Sequence, residues 1–410
     1  MIVCKFGGSS VASKKALLNV LNIIKRNSDR KIIVISAIGK RDCNDEKLTD
    51  LLINAFNKRK TNEFNSIYSN LEFKMQNFSN ELGINPHLHF NFELFKEQIK
   101  NSSVTYEYVI SRGEYFTAII CSRYLNANFI DSINLIEKNH SGKIIINKVL
   151  TNLNNYDLNK VNVIPGFYCT NQDKKITLLE RGGGDTTGAI LAQAINADEY
   201  ENYTDVNGVL TIDNKITLNS KTINELSAGQ FANIINDGAR VFSLGAIPYL
   251  IKFNGKTHIK NTFNSEELFT SIGKKSDIYY FDSIKKYHCF INKKKHSKNR
   301  FINDIFNVFM TNKKPIGLVF WTNQNIFVEY KNTDNLITNK IDGIKLTLYK
   351  YNRQTVRRIK KSCANYKIKM QMIILPSPYL KAKLYFFGKI SKSFIDEIIS
   401  LLEKKNTPLE

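Results

Sequence analysis

The chain contains no run of about 18 apolar residues, so no segment is expected to span a membrane. Its N-terminus lacks a basic region followed by an apolar one and opens directly on a strand pattern, so no signal peptide is expected. The six cysteines (Cys4, Cys43, Cys121, Cys169, Cys289 and Cys363) form no C-x-x-C pair. That spacing speaks against a zinc site and for reduced thiols in a cytoplasmic protein. No segment is of low complexity, and no repeat is visible at residue level.

What is present is 410 residues, enough for two or three domains with a proper core. The net charge is +22, and residues 281–410 hold 26 Lys/Arg against 9 Asp/Glu. A basic region of that kind can mark a polyanion partner. Here the lysines are scattered through a Lys-, Asn- and Ile-rich composition, as an AT-rich genome produces, which argues against nucleic acid. Only Lys293-Lys294-Lys295 and Arg357-Arg358-Ile359-Lys360-Lys361 are dense, and the second reads as the solvated face of a helix.

The most informative stretch is Val3-Cys4-Lys5-Phe6-Gly7-Gly8-Ser9-Ser10-Val11. It reads as strand, tight loop and helix. Glycines let backbone approach an anion closely, a new helix offers free N–H groups, and Lys5 can add an ammonium. The motif is neither a Walker loop nor a dinucleotide fingerprint. Ala16, Leu17, Val20, Leu21 and Ile24 then recur at helical spacing, and Ile32–Ile35 is a continuous apolar strand of the kind a parallel sheet buries.

Further strands are expected at Phe129-Ile130, Ile144–Ile146, Val161–Ile164 and Ile176–Leu179. Helices are expected at Glu46–Lys58, Tyr106–Leu125 and Thr186–Asn196. The alternation predicts an α/β fold with helices on both faces of an open sheet and ligands at the carboxyl ends of strands. Past about residue 276, two strand–helix–strand–strand units follow. The first is Tyr287–Ile291, Phe301–Phe309, Ile316–Trp321 and Ile326–Tyr330. The second is Ile344–Tyr349, Val356–Tyr366, Met370–Leu375 and Lys383–Phe387, with a closing helix at Phe394–Leu402.

Arg181-Gly182-Gly183-Gly184-Asp185-Thr186-Thr187 forms a second glycine-rich turn ahead of a helix that Asp185 or a following threonine can cap. Arg181 can grip a carboxylate through two hydrogen bonds. Ser111-Arg112-Gly113-Glu114 interrupts a helical pattern, and its Glu suits an ammonium or a surface ion pair. Thr204-Asp205-Val206-Asn207-Gly208 reads as a strand ending in a polar turn.

Taken in order and spacing, these motifs, with Pro165-Gly166-Phe167 and Ile35–Arg41 followed by Thr49-Asp50-Leu51-Leu52, resemble the aspartokinases over residues 1–275. The resemblance implies a three-layer α/β/α sandwich with a mostly parallel sheet, the amino-acid kinase fold, as a catalytic domain at 1–275. A tandem pair of ACT-like regulatory and dimerisation modules would follow at 276–410.

It also implies an ATP-dependent kinase of the L-aspartate side-chain carboxylate, at the entry to lysine, threonine and methionine synthesis. Lys5, Gly7, Gly8 and Ser9 would meet the ATP phosphates, and Thr204, Asp205, Lys215 and Arg240 would lie near the nucleotide. Thr49, Glu114 and Arg181 would hold the amino acid, with Asp185 beside the reacting phosphate. Mg2+ would be held mainly by phosphate oxygens, with no protein metal ligand, and the partners would be L-aspartate, ATP and a second copy of the chain. Aspartate's carboxylate is ionised at pH 7 (reference pKa about 3.9), so no general base is needed, and no His lies in these motifs.

Departures from the family pattern are also visible. Gly184 replaces a serine, a hydroxyl contact worth about 0.5–1.5 kcal/mol. Gly238-Ala239-Arg240-Val241-Phe242-Ser243 replaces Gly-Ala-Lys-Val-Leu-His, Leu210 replaces an aromatic, and Asp213-Asn214-Lys215 stands for Asp-Pro-Arg. Residues that usually hold lysine or threonine between ACT modules are not recognisable, so feedback inhibition is expected to be weak or absent. The rival readings are a kinase of this fold acting on another carboxylate, and a drifted, non-catalytic regulator or polyanion binder.

Overall fold

The computed structural model describes residues 1–180, 182–212, 217–236, 239–264, 268–273, 279–281, 285–291, 319–321, 325–329, 339–349, 353–375, 381–387 and 390–403. They form two compact units, Met1–Val209 with Thr222–Lys275, and Leu210–Lys221 with Ser276–Glu410.

The strands of the first unit are β1 (Ile2–Phe6), β2 (Arg30–Ile35), β3 (Asn128–Phe129), β4 (Glu137–Lys138), β5 (Asn162–Pro165), β6 (Tyr168–Asn171), β7 (Ile176–Leu178), β8 (Glu199–Thr204), β9 (Glu225–Leu226), β10 (Lys256–Asn261) and β11 (Thr270–Ile272). Its helices are α1 (Lys14–Arg26), α2 (Leu48–Asn57), α3 (Phe64–Glu81), α4 (Phe92–Lys100), α5 (Tyr106–Tyr124), α6 (Ile146–Leu153), α7 (Gly183–Ala194), α8 (Ala228–Asn236) and α9 (Ile247–Lys252). The main sheet runs β3-β5-β2-β1-β8-β10-β11-β9. All its pairs are parallel except β10 with β11.

β1 and β2 are the central strands that an apolar run demands, and Val3, Cys4, Phe6 and Ile32–Ile35 are inaccessible to solvent. One sheet face, carrying Ile2, Cys4, Phe6 and Tyr203, packs into a large core with α1 to α5. α7 packs against β1, β2 and β8. The result is the expected three-layer α/β/α sandwich.

Several elements differ from expectation. Ile144–Ile146 is not a strand: Ile144 makes one isolated bridge to Lys138, and Ile146 begins α6, whose Val149 and Leu153 are buried. The apolar run is β-branched, but the amphipathic residues after it decide the outcome. β7 belongs to a separate three-stranded sheet, β4-β6-β7. α5 runs unbroken through Ser111–Glu114, and its Gly113 faces a close contact, where an added Cβ would lie 3.0 Å from Leu52 Cδ1 and 3.2 Å from Ala37 Cβ. The first glycine loop leads into a short 3-10 turn (Gly8–Val11), and α1 starts later, capped by the Ser13 hydroxyl. α7 starts two residues ahead of Asp185, after Gly182 at φ +84°, a left-handed conformation that favours glycine; neither Asp185 nor a threonine is its cap.

The second unit has a seven-stranded antiparallel sheet built from β12 (Tyr279–Phe281), β13 (Lys285–Ile291), β14 (Val319–Trp321), β15 (Asn325–Glu329), β16 (Asn339–Tyr349), β17 (Lys369–Leu375) and β18 (Lys381–Phe387). β13 pairs with β16, so the strands of the two expected units join in one sheet. α10 (Arg353–Asn365) and α11 (Lys392–Glu403) supply Ile359, Cys363, Phe394, Ile395 and Ile398 to its core. Arg357, Arg358, Lys360 and Lys361 are exposed on α10, as expected of a solvated face.

Segment 210–221 contributes to this unit too. Ile212 enters the core, Thr217 Oγ1 and Asn219 Nδ2 donate to Asp396 Oδ1 (2.6 and 3.0 Å), and Lys221 pairs with Glu403 (2.7 Å). The helix expected at Phe301–Phe309 and the Lys293–Lys295 run lie outside the described residues.

Candidate active site

A cleft of about 440 Å³ opens at the carboxyl ends of β1, β2 and β5. Its lining includes Lys5, Ser36, Lys47, Thr49, Glu114, Phe167 and Asp185. Four residues singled out from sequence therefore converge from β1, α2, α5 and α7, over 180 residues of chain.

Lys5 stands on the most central strand and is 9% exposed. Its ammonium lies 2.7 Å from Asp185 Oδ1. The same carboxylate accepts from Asn202 Nδ2 (2.8 Å, at Oδ1) and from the Ser243 backbone N–H (2.8 Å, at Oδ2). A buried charge is tolerable only with such partners. Asp185 is thus tied to β1, β8 and the segment after α8.

Beside Lys5, the Gly7 N–H donates to Tyr203 O (3.1 Å), and Gly8 O accepts from the Gly39 N–H (3.0 Å). The Gly8–Gly39 approach leaves no room for a side chain: an added Cβ on Gly8 would lie 2.8 Å from Ala37 O. The N–H groups of Gly8 and Ser9 have no hydrogen-bond acceptor among the described residues. With Lys5 alongside, this turn has the donor set that phosphate oxygens take up.

Glu114 is 6% exposed, and its Oε2 has no hydrogen-bond partner among the described residues. Burial pushes its carboxyl up to about 8 against the pull of the backbone N–H groups of Glu114 itself and Ala37. A buried acid of this kind, lining a cleft, is a receiver for a cation.

Thr204 ends β8, next to the glycine turn, Asp205 follows it, and the Thr204 hydroxyl donates to Asp205 Oδ1 (3.1 Å). Arg240 is exposed on the segment that leads to Ser243. Arg181 and Lys215 lie outside the described residues. No group of three His, Cys, Asp or Glu side chains suited to a metal ion occurs among the described residues.

The Amino acid kinase family model matches residues 1–261. The chain belongs to the amino acid kinase family. Among curated relatives, Aspartokinase 3 of Bacillus subtilis (strain 168) is 29% identical over 294 residues, covering 68% of this chain and 64% of that protein. The aspartokinase of Rickettsia felis is 28% identical over 300 residues, covering 69% and 64%. The matched region thus spans just under two thirds of these relatives' length.

Among solved structures, the Clostridium acetobutylicum aspartate kinase aligns with a TM-score of 0.79 at 23% identity, covering 98% of this chain and 99% of that one. Escherichia coli aspartokinase III, solved with lysine and aspartate, aligns at 0.78 and 16% identity with the same coverage. These likenesses establish the amino-acid kinase fold. Among the described residues, no helix is long and apolar enough to cross a membrane.

Sequence reasoning assigned no role to three residues of the site. Ser36 follows β2, and its hydroxyl lies 2.9 Å from where a Gly184 Cβ would stand, so a hydroxyl is present beside Gly184 after all. Lys47 precedes α2 and brings a further cation to the cleft. Asn202 is fully buried in β8. Its strand, Glu-Tyr-Glu-Asn-Tyr-Thr, is too polar to read as a buried one, so no sequence signal marks Asn202.

Proposed function

We propose that the protein is an ATP-dependent aspartate kinase, transferring the γ-phosphoryl group of ATP to the side-chain carboxylate of L-aspartate. The observation that carries the reading is the convergence on one cleft of the Lys5–Asp185 pair and a buried Glu114 whose Oε2 lacks a partner among the described residues, with a glycine turn offering free N–H groups beside Lys5. The named aspartokinase relatives support it.

The nucleophile arrives ionised, with a reference pKa of about 3.9, so the site's task is to bring two anions together. A carboxylate oxygen forms a bond to the γ-phosphorus while the bond to the β,γ-bridging oxygen breaks. ADP leaves, and the product is an acyl phosphate, 4-phospho-L-aspartate. Lys5, with Gly7, Gly8 and Ser9, would neutralise and orient the phosphates, and Asp185 would hold Lys5 in place. Glu114 would meet the substrate ammonium, Arg181 its α-carboxylate, and Thr49 would complete that pocket.

Thr204, Asp205, Lys215 and Arg240 would face the nucleotide. Mg2+ would be carried by the phosphate oxygens and would supply further charge neutralisation. In this reading residues 1–275 are catalytic, and residues 276–410 are a regulatory region through which two copies pair in the cytoplasm. Gly184 beside Ser36 is the feature that would favour a different carboxylate substrate.

The test is a panel of carboxylates with Mg·ATP, read by ADP release. Aspartate should turn over and glutamate should not. Preference for another acid would move the substrate assignment, and turnover of none would remove the kinase reading.

A further inference from the structure

We infer that Asn202 is a positioning residue that fixes the Asp185 carboxylate, and through it the Lys5 ammonium, for phosphoryl transfer. The inference rests on the proposed kinase reading and adds to it a residue with no assigned role. Asn202 sits opposite Lys5 in the parallel pairing of β1 with β8, so the two side chains leave the same face of the sheet side by side. Both reach one oxygen: Lys5 Nζ and Asn202 Nδ2 lie 2.7 and 2.8 Å from Asp185 Oδ1. A carboxylate only accepts, so the amide must turn its NH2 end toward Asp185. Asn202 Nδ2 also donates to Tyr200 Oη (3.2 Å), and Tyr200 Oη donates to the Asp185 backbone carbonyl (3.0 Å).

Asn202 thus belongs to a frame that holds both ends of Asp185. The other carboxylate oxygen takes the Ser243 N–H. Lys5 must turn part of its hydrogen-bonding capacity to phosphate when nucleotide is bound. Asn202 and Ser243 N–H then keep Asp185 from rotating, and Lys5 keeps its aim.

Asn202 is poorly explained as a structural residue. It is 0% exposed in the middle of a buried strand, where amides are disfavoured, and its own Oδ1 is without a hydrogen-bond partner among the described residues. An apolar side chain would serve the sheet better. The amide is retained at a cost to the fold, as happens where a site sets the requirement.

A double-variant cycle on the full chain decides the matter. Asn202→Leu should lower kcat for Mg·ATP and aspartate by about ten- to hundredfold, with both KM values within about threefold of wild type. Asp185→Asn should lower it further, and the double variant should be no slower than Asp185→Asn alone. Losses that multiply in the double variant, or an Asn202→Leu enzyme within twofold of wild type, would overturn the assignment. Should Asn202→Leu fail to fold, Asn202→Thr, a strand-forming residue without the amide, carries the same expectations. Wild type that binds Mg·ATP and phosphorylates no carboxylate defeats the functional reading itself, whereas an active wild type with multiplying losses defeats only the role of Asn202.

Discussion

Two buried polar clusters flank the same strands, one on each face of the main sheet, and they differ in how completely they are satisfied. On the face with α1, Glu201 accepts from Arg30 Nε and Nη2 (2.6 and 3.0 Å), Lys260 Nζ, Tyr203 Oη (3.2 Å) and Cys4 Sγ (3.3 Å). Five donors thus converge on that carboxylate. On the opposite face and in the cleft, Lys5 and Asp185 are paired, while Asn202 Oδ1, Thr186 Oγ1 and Glu114 Oε2 lack partners among the described residues. Closed networks hold a fold, and open ones wait for a ligand. Successive residues make the contrast: Cys4 and Glu201 serve the closed cluster, Lys5 and Asn202 the open one.

The largest expected effect breaks the two clusters separately. Lys5→Ala should reduce kcat by roughly a hundred- to thousandfold and, because it leaves the buried Asp185 carboxylate with only Asn202 and the Ser243 N–H, should also lower stability, by about 3–5 kcal/mol at most. Glu201→Ala strands Arg30 and Lys260 as uncompensated charges and should cost about 3–5 kcal/mol of stability, measured by urea unfolding, with kcat of the folded protein nearly unchanged. If Glu201→Ala hurt turnover as much as Lys5→Ala does, the two clusters would not be separable.

The next effect is on substrate affinity. Glu114→Gln should raise KM for aspartate roughly ten- to hundredfold and leave KM for Mg·ATP alone. With the Glu114 carboxyl pushed up to about 8 by burial, the free enzyme holds it protonated at neutral pH. KM for aspartate should therefore fall as pH rises from 6 toward 8, by up to about tenfold per unit, and then level off. Glu114→Gln should lose that dependence.

The two carboxylates also differ in the sign of their effect on folding. Burial alone would raise Glu201, but hydrogen bonds and charge from Arg30 and Lys260 hold it down at about 2, below its ordinary 4.5. Its contribution is full above that ordinary value and is lost as pH falls through the window down to about 2. Glu114, raised from 4.5 to about 8, contributes below 4.5, and its contribution is lost as pH rises to about 8. Urea titrations of Glu201→Gln and Glu114→Gln against wild type should therefore diverge at opposite ends of the pH scale.

Smaller effects should sharpen the picture. Gly184→Ala would place a Cβ 2.9 Å from Ser36 Oγ and 3.2 Å from Lys5 Cε. Both are movable side-chain atoms, so a loss of about three- to tenfold in kcat/KM is expected, with stability changed by about 1 kcal/mol or less. Cys4→Ser, in the closed cluster, should shift stability by no more than about 1 kcal/mol and leave turnover untouched.

The sequence carried the site's skeleton because glycine turns and strand runs are local. Lys5, Gly7 and Gly8 were legible from motif and spacing, Thr49, Glu114 and Asp185 through the family resemblance, and Ile32–Ile35 from its apolar run. Less legible was whatever depends on partners far along the chain. β8, reading Glu-Tyr-Glu-Asn-Tyr-Thr, has too many polar residues to read as a core strand. Its Glu201 is buried by Arg30 and Lys260, and its Asn202 by Asp185.

α3 went unread because its apolar stripe of Phe64, Tyr68, Leu71, Met75 and Phe78 is diluted by Asn and Ser. Ile144–Ile146 misled for the opposite reason, as strong β-branched propensity was overridden by the amphipathic helix that follows. Ser36 lies in the Ile35–Arg41 motif but carries no sign of a role, Lys47 lies in no motif, and only the fold brings them to the cleft.

The most direct measurement is acyl-phosphate trapping. Purified protein is incubated with Mg·ATP, L-aspartate and hydroxylamine, and aspartyl hydroxamate is quantified beside the Lys5→Ala and Glu201→Gln variants. The account expects hydroxamate from wild type and from Glu201→Gln, and almost none from Lys5→Ala. Hydroxamate at wild-type levels from Lys5→Ala, or none from a wild-type protein that binds Mg·ATP, would contradict it.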